Sequence, residues 1–174
     1  MKPPAENAGG FCLNWIDTRA FTLYHSNSKN YLLIGGITMA RISKRDYYLE
    51  IAKTVALRST CLRRQYGAVI VKDDIIIATG YNGAARGETN CCDVGQCWRE
   101  ANGIPHGERY EECVAVHAED NAISQAGRDS IGATLYLAGI ENGKLITAVP
   151  CKMCARKIKN ARIAEVIATT AETE

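Results

Sequence analysis

The chain has 174 residues, 47% hydrophobic and 23% charged, with 21 Lys and Arg against 19 Asp and Glu for a formal charge of +2. That length allows one ordinary domain, and the composition excludes a disordered or fibrous chain. The near balance of charge excludes a field strong enough by itself to hold nucleic acid or an anionic membrane, and the outstanding figure is eight cysteines beside three histidines.

Residues 1–38 mix Pro, Gly, Asn and Ser with scattered aromatics and show neither helical nor strand periodicity, so they read as a poorly ordered N-terminal extension. Their longest apolar run, Tyr31 to Ile37, is broken by Gly35 and Gly36 and falls far short of the ~20 residues of a membrane span. No secretion signal is recognisable at the start. The expected location is cytoplasmic, where cysteines serve as thiols or metal ligands in preference to disulfides. Patterning becomes cleaner at Met39, which makes 39–174 the expected domain and Met39 a candidate natural start.

Ser43 followed by Asp46 is a capping-box pattern, and Tyr48, Ile51, Ala52 and Val55 recur at helical spacing, predicting a helix over about 44–59. Gly67 to Val71 and Ile75 to Thr79 are β-branched runs joined by Asp73 and Asp74, a hairpin. From Gly80 to about Glu112 the chain is rich in Gly, Asn and Cys and nearly aperiodic, a length of loop that needs a clamp. Residues 117–126 are patterned as helix, 133–137 as strand, and Glu141-Asn142-Gly143-Lys144 as a turn. After Pro150 come a helix over 151–160 and a strand over 163–169. Strands alternating with helices imply crossover connections in a layered α/β fold, with the ligand site at the carboxyl ends of the strands, where both candidate functional helices begin.

His117-Ala118-Glu119 opens one of those helices and Pro150-Cys151-Lys152-Met153-Cys154 opens the other. One imidazole and two thiolates make a three-ligand zinc set that leaves the fourth tetrahedral position open, as catalytic zinc requires. Glu119 is two residues from His117, close enough to exchange a proton with a water at that open position and poorly placed to ligate beside His117. Alone, H-x-E recurs by chance in helices and C-x-x-C serves as a structural clip or redox pair. In this order, 30 residues apart with helix then strand between, the two point to hydrolysis at an electrophilic carbon, and H-x-E…P-C-x-x-C is the signature of zinc nucleobase deaminases.

Residues 41–169 resemble the cytidine and deoxycytidylate deaminase superfamily, through VHAEDNAI (116–123) and PCKMC (150–154). RSTC (58–61), YGAVIVKDD (66–74), GYNGA (80–84) and NCCD (90–93) resemble its deoxycytidylate branch. The resemblance implies a three-layer α/β/α sandwich around a mixed sheet and hydrolytic deamination of a cytosine mononucleotide, dCMP to dUMP plus ammonia. In that scheme water activated by zinc attacks C4, and Glu119 carries protons to the ring nitrogen and the departing ammonia. It also implies that Asn82, and the wall position Ala118, bind substrate, Asn82 through the sugar hydroxyl; Asn82-Gly83 is equally good turn chemistry.

Cys61, Cys91, Cys92, Cys97 and Cys113 flank the long loop. Some deoxycytidylate deaminases carry a second, structural zinc, with Cys61 and Cys91 at matching positions. The expected set here is Cys61, Cys91, Cys97 and Cys113, with Cys92 and His106 in reserve; buried free thiols are the alternative. Arg63, Arg64, Lys152 and Arg156 are candidate phosphate ligands, each equally readable as a solvated charge.

Two features depart from the resemblance: Gly139 to Val149 adds a hairpin beside the pocket, and little chain follows the strand over 163–169, so effector sites are not carried over. The expected partners are a nucleotide substrate and further copies of the chain, with no stable nucleic acid and no membrane. The competing functions are a deaminase of another substrate, such as cytidine, cytosine, a pterin-like or riboflavin precursor or a transfer RNA base, and a non-catalytic zinc module. The small net charge argues against RNA, the C-x-x-C spacing against the riboflavin-pathway enzymes, and Glu119 against the module.

Overall fold

A computed structural model describes residues 41–105 and 107–171. The expected extension over 1–38, with Met39 and His106, lies outside the described residues. In chain order the elements are α1 Lys44–Ala56, β1 Gln65–Lys72, β2 Ile75–Tyr81, β3 Gly83–Ala84, α2 Cys91–Val94, α3 Trp98–Ala101, a 3-10 turn Tyr110–Glu112, β4 Ala115–Val116, α4 Ala118–Ala126, β5 Thr134–Glu141, β6 Lys144–Ile146, α5 Lys152–Asn160 and β7 Glu165–Ala168, with a second 3-10 turn at Gly127–Ser130.

α1 starts where the capping pattern places it: the Ser43 hydroxyl accepts from the Asp46 amide at 3.1 Å and donates to the Asp46 carboxylate at 2.7 Å. It ends at Ala56, three residues earlier than expected. β1 and β2 pair antiparallel around Asp73 and Asp74, both left-handed with φ of 50° and 67°, the backbone of a tight hairpin turn. Aspartate tolerates that region better than most residues, and Asp74 is anchored: the Tyr48 hydroxyl donates to its carboxylate at 2.9 Å and its carbonyl at 3.0 Å, and Lys44 pairs with it. The Asn142-Gly143 turn between β5 and β6 repeats this backbone, with φ of 51° and 75°.

The main sheet runs β2-β1-β5-β6, with β7 also pairing β5. β1 is antiparallel to both β2 and β5, whereas β7 is parallel to β5. β2, β5 and β7 therefore point one way, α4 carries the crossover from β2 to β5 and α5 the one into β7. Successive strand residues face opposite sides. On one side Val69, Val71, Tyr136 and Ala138 meet Tyr48 and Ala52 of α1; on the other Ala68, Ile70, Leu135 and Leu137 meet Ala118, Ala122 and Ala126 of α4 and Ile158 of α5. The result is the expected three-layer α/β/α arrangement about a mixed sheet. Ile70, Leu135 and Leu137 have no exposed surface, and burial stabilises each by roughly 1.5–3 kcal/mol.

Two glycines set how close the helices come. A Cβ on Gly67 would lie 2.1 Å from the Ala52 carbonyl oxygen of α1, and one on Gly80 would lie 2.4 Å from the Ala118 carbonyl oxygen of α4. α4 is further tied to β2 by Asn121, whose amide donates to the Tyr81 carbonyl at 2.8 Å, and by Gln125, which accepts from the Thr79 amide at 3.2 Å. The start of α4 is thus fixed relative to the end of β2, and the site depends on that placement.

The long aperiodic segment is not a bare loop. It contains α2, α3 and a 3-10 turn, and β3 and β4 pair with each other as a separate two-stranded ribbon that delivers the chain to α4.

Candidate active site

His117 is the N-cap of α4 and Cys151 the N-cap of α5, both in extended backbone conformation, and Cys154 is buried in the first turn of α5. The Cys151 thiol accepts from the Cys154 amide at 3.5 Å, so it caps the helix as a serine would. Lys157 pairs with Asp120, linking α5 to the first turn of α4 and holding the two caps side by side. Both helix starts lie at the carboxyl-terminal end of the parallel strands, where the element pattern puts the site.

His117 Nδ1 is 3.4 Å from Cys151 Sγ and 3.3 Å from Cys154 Sγ. Zinc–nitrogen bonds of about 2.0–2.1 Å and zinc–sulfur bonds of about 2.3 Å, opened to a tetrahedral angle, separate such donors by about 3.5 Å. The donor set and its spacing fit a zinc ion. Among the described residues His117, Cys151 and Cys154 are the only group of three or more His, Cys, Asp or Glu residues whose ligand atoms all lie within 4.8 Å of one another.

Burial, as the largest cause, disfavours protonation of the His117 imidazole, whose neutral form is the one that ligates. Burial likewise pushes the Cys154 thiol well up, with Glu119 and Cys151 next in effect, so a cation must supply the charge that ionises it. Glu119 is 5% exposed, its carboxyl is raised by burial, and it hydrogen-bonds the Cys154 thiol. A carboxyl in that setting holds a proton more readily than a solvated one, which suits it to accept a proton from water as a general base.

The cleft beside these residues is also lined by Ala118, Asn82, Tyr66, Arg64, Arg99, Tyr110 and Val149. Ala118 has no exposed surface. The Asn82 side chain accepts from the Tyr66 amide at 2.7 Å and donates to the Arg64 carbonyl at 2.9 Å, pinning the start of β1 to the end of β2. The turn-like and substrate-facing readings of Asn82 therefore meet in one residue, buried by its bonds to the backbone and still at the cleft wall. Tyr110 packs edge-on against His117, with ring centroids 5.3 Å apart and planes at 87°.

Cys61, Cys91, Cys97 and Cys113 also line this cleft. Burial pushes Cys61 up to about 12, helped by Cys91 and Cys113, and raises Cys91, helped by Cys97 and Cys113, so the four thiols stand close enough to feel one another. They are not gathered to 4.8 Å as the other set is. Cys92 is exposed and turned toward Asp93. Of the phosphate candidates, Arg63 and Arg64 line the cleft, and Lys152 and Arg156 are exposed residues of α5 outside its lining. Val149 ends the hairpin expected beside the pocket and Tyr66 opens the YGAVIVKDD run, whereas Arg99 and Tyr110 carry no sequence signal, because their presence in the wall is decided by tertiary packing.

The family model described as the cytidine and deoxycytidylate deaminase zinc-binding region matches residues 42–170. This chain belongs to that deaminase family. Within it, the deoxycytidylate deaminase of Schizosaccharomyces pombe is 39% identical over 129 residues, which is 73% of this chain and 37% of that protein. The deoxycytidylate deaminase of Mycobacterium phage D29 is 40% identical over 135 residues, covering 74% of this chain and 96% of the phage protein. A crystal structure of dCMP deaminase from the cyanophage S-TIM5, in complex with dCMP and dUMP, superposes with a TM-score of 0.52 at 26% identity, over 74% of this chain and 83% of that one. The chain thus spans little more than a third of the fission-yeast deaminase and nearly all of the D29 one. No helix among the described residues is long and apolar enough to cross a membrane.

Proposed function

We propose that this chain hydrolyses dCMP to dUMP and ammonia, with His117, Cys151 and Cys154 holding a zinc ion and Glu119 moving the protons. The observation that carries the reading is the convergence of one imidazole nitrogen on two sulfurs, each 3.3–3.4 Å from it, next to a buried carboxyl. Relatives named deoxycytidylate deaminases at 39% and 40% identity support the substrate.

Zinc supplies Lewis acidity, the chemistry that lets water lose a proton near neutral pH. Glu119 accepts that proton and donates it to N3 of the cytosine ring as the water oxygen bonds to C4. A second transfer through the same carboxyl loads the amino group, the C4–N bond breaks, and ammonia leaves with uracil behind. Burial favours the neutral acid and so eases the uptake of each proton from the attacking water. Ala118, first in α4, brings no bulk to the wall and has an N–H that the helix leaves without an acceptor, available to the base. Asn82 keeps a second amide hydrogen and a second lone pair for a sugar hydroxyl.

Cys61, Cys91, Cys97 and Cys113 are proposed to hold a second, structural zinc that clamps the long irregular segment. A reducing, cytoplasmic setting would keep all these thiols available, and association of copies would cover the open edge of β2.

The test is ammonia release from dCMP, CMP, deoxycytidine, cytidine and cytosine. dCMP is expected to be preferred, and Glu119→Gln to keep its zinc while losing about 10²- to 10⁴-fold in kcat. Release from another substrate but not dCMP would move the assignment within the family; no release from any would leave a non-catalytic zinc module.

A further inference from the structure

The cleft contains three arginines, and two are already balanced. Arg64 makes a two-point contact with Glu141, 2.8 Å from Nε and 3.1 Å from Nη2, and Arg63 Nε is 3.2 Å from Glu100. Arg99 differs. It is 4% exposed, the only arginine in the buried core, and it makes no ion pair among the described residues. Its Nη1 donates to the Arg109 carbonyl at 2.9 Å, its Nη2 donates to the Pro105 carbonyl at 2.8 Å, and its guanidinium lies 4.5 Å from the centroid of Tyr110. Glu112, whose carboxyl Arg99 helps to lower, is held first by its hydrogen bond from Arg109.

A guanidinium offers five N–H donors, and these two carbonyls occupy two. Two carbonyl dipoles and an aromatic face orient the group without neutralising it, and a buried cation lacking a counter-ion is expensive to keep. It is also close to the chemistry: the ring that carries Arg99 on one side packs against His117, and Arg99 is among the charges that disfavour protonation of that imidazole. A preoriented, unbalanced cation in the wall of a substrate cleft is a receptor for an anion, and planar guanidinium suits phosphate oxygens.

We propose that Arg99 is the residue that selects for the phosphate of the substrate, making the chain favour a nucleoside monophosphate over the free nucleoside. The proposal rests on the nucleotide reading given above. Tyr110 fixes the distance between this cation and the metal ligands, so the phosphate contact also sets how deep the base enters. Arg63 and Arg64, each satisfied by a carboxylate, serve as walls.

Calorimetry with dUMP and with deoxyuridine separates this inference from the reading beneath it, since neither ligand needs turnover. The natural chain, loaded with zinc, is expected to bind dUMP about 10- to 100-fold more tightly than deoxyuridine, the range of a charge-assisted contact. Arg99→Gln should abolish that preference and leave deoxyuridine binding unchanged. A preference that survives in Arg99→Gln overturns the proposal, as does equal weakening of both ligands, which would make Arg99 a clamp on the loop alone. If the natural chain binds neither compound, the nucleotide reading fails first and the proposal with it. Should Arg99→Gln not fold, Arg99→Lys carries the test: a reduced dUMP preference with deoxyuridine binding intact supports the proposal, and loss of both overturns it.

Discussion

Cys151 and Cys154 stand on one turn of a nine-residue helix that packs through Ile158 against the sheet, with His117 capping a second helix tied to β2 by two side-chain hydrogen bonds. Cys61 stands just before a bend, Cys91 opens one four-residue helix, Cys97 caps another and Cys113 follows a 3-10 turn, with no long element behind any of them. The first set meets at 3.3–3.4 Å and the second does not close. Thiols of the same chemistry are preorganised where the sheet and its helices dictate their positions, and stand further apart where they do not. On the proposal above, one set holds an ion at a fixed place and the other closes around one.

The largest effect expected from breaking this contrast is at Cys154→Ser, which removes a ligand from the rigid set: ammonia release should vanish and metal content fall by one ion per chain. Cys113→Ser, in the soft set, should also cost an ion, yet its signature is a lower melting temperature with residual turnover, read by metal analysis alongside calorimetry. A Cys113→Ser chain as dead as Cys154→Ser would erase the distinction between the two sets. Gly80→Ala probes the scaffold instead of a ligand. Its new methyl must displace the Ala118 carbonyl, so stability should fall by about 1–3 kcal/mol, with zinc affinity falling alongside because His117 moves with α4. Tyr48→Phe, on the far face of the sheet, should lower the melting temperature by a few degrees at most and leave zinc affinity untouched.

That last variant also has a pH signature. Lys44 first, and Tyr48 second, hold the Asp74 carboxyl below the usual carboxylate range. A depressed pKa contributes stability above the unfolded value of about 3.9 and loses it as pH falls through the folded one. The melting-temperature gap between Tyr48→Phe and the natural chain should hold from neutrality down to about pH 5 and narrow below about pH 4.

The elements that the sequence makes plain are those with long periodicity or strong local chemistry: α1 from its capping box, the β1–β2 hairpin from β-branched runs around two aspartates, and the starts of α4 and α5 from their ligand motifs. The small helices between Gly80 and Glu112 are illegible because four residues complete barely one turn and show no period. Arg99 is illegible for a different reason. In the sequence it is one of many charges in an irregular stretch, and only burial under Tyr110 and two carbonyls distinguishes it from a solvated arginine. Asn82 stands between: its motif marks it as important, while its bonds to β1 appear only once the strands pair.

His117 and Cys151 are 34 positions apart in the chain, and an ion shared by them as proposed would close α4, β5 and β6 into a single ring. The unfolded chain has no such ring ready-made, so whatever free energy the ion releases on binding is added to the cost of unraveling that whole segment. Affinity measured by a chelator and resistance measured by a denaturant should then be two readings of one quantity, and a buffer that strips metal would act on this chain as a mild denaturant.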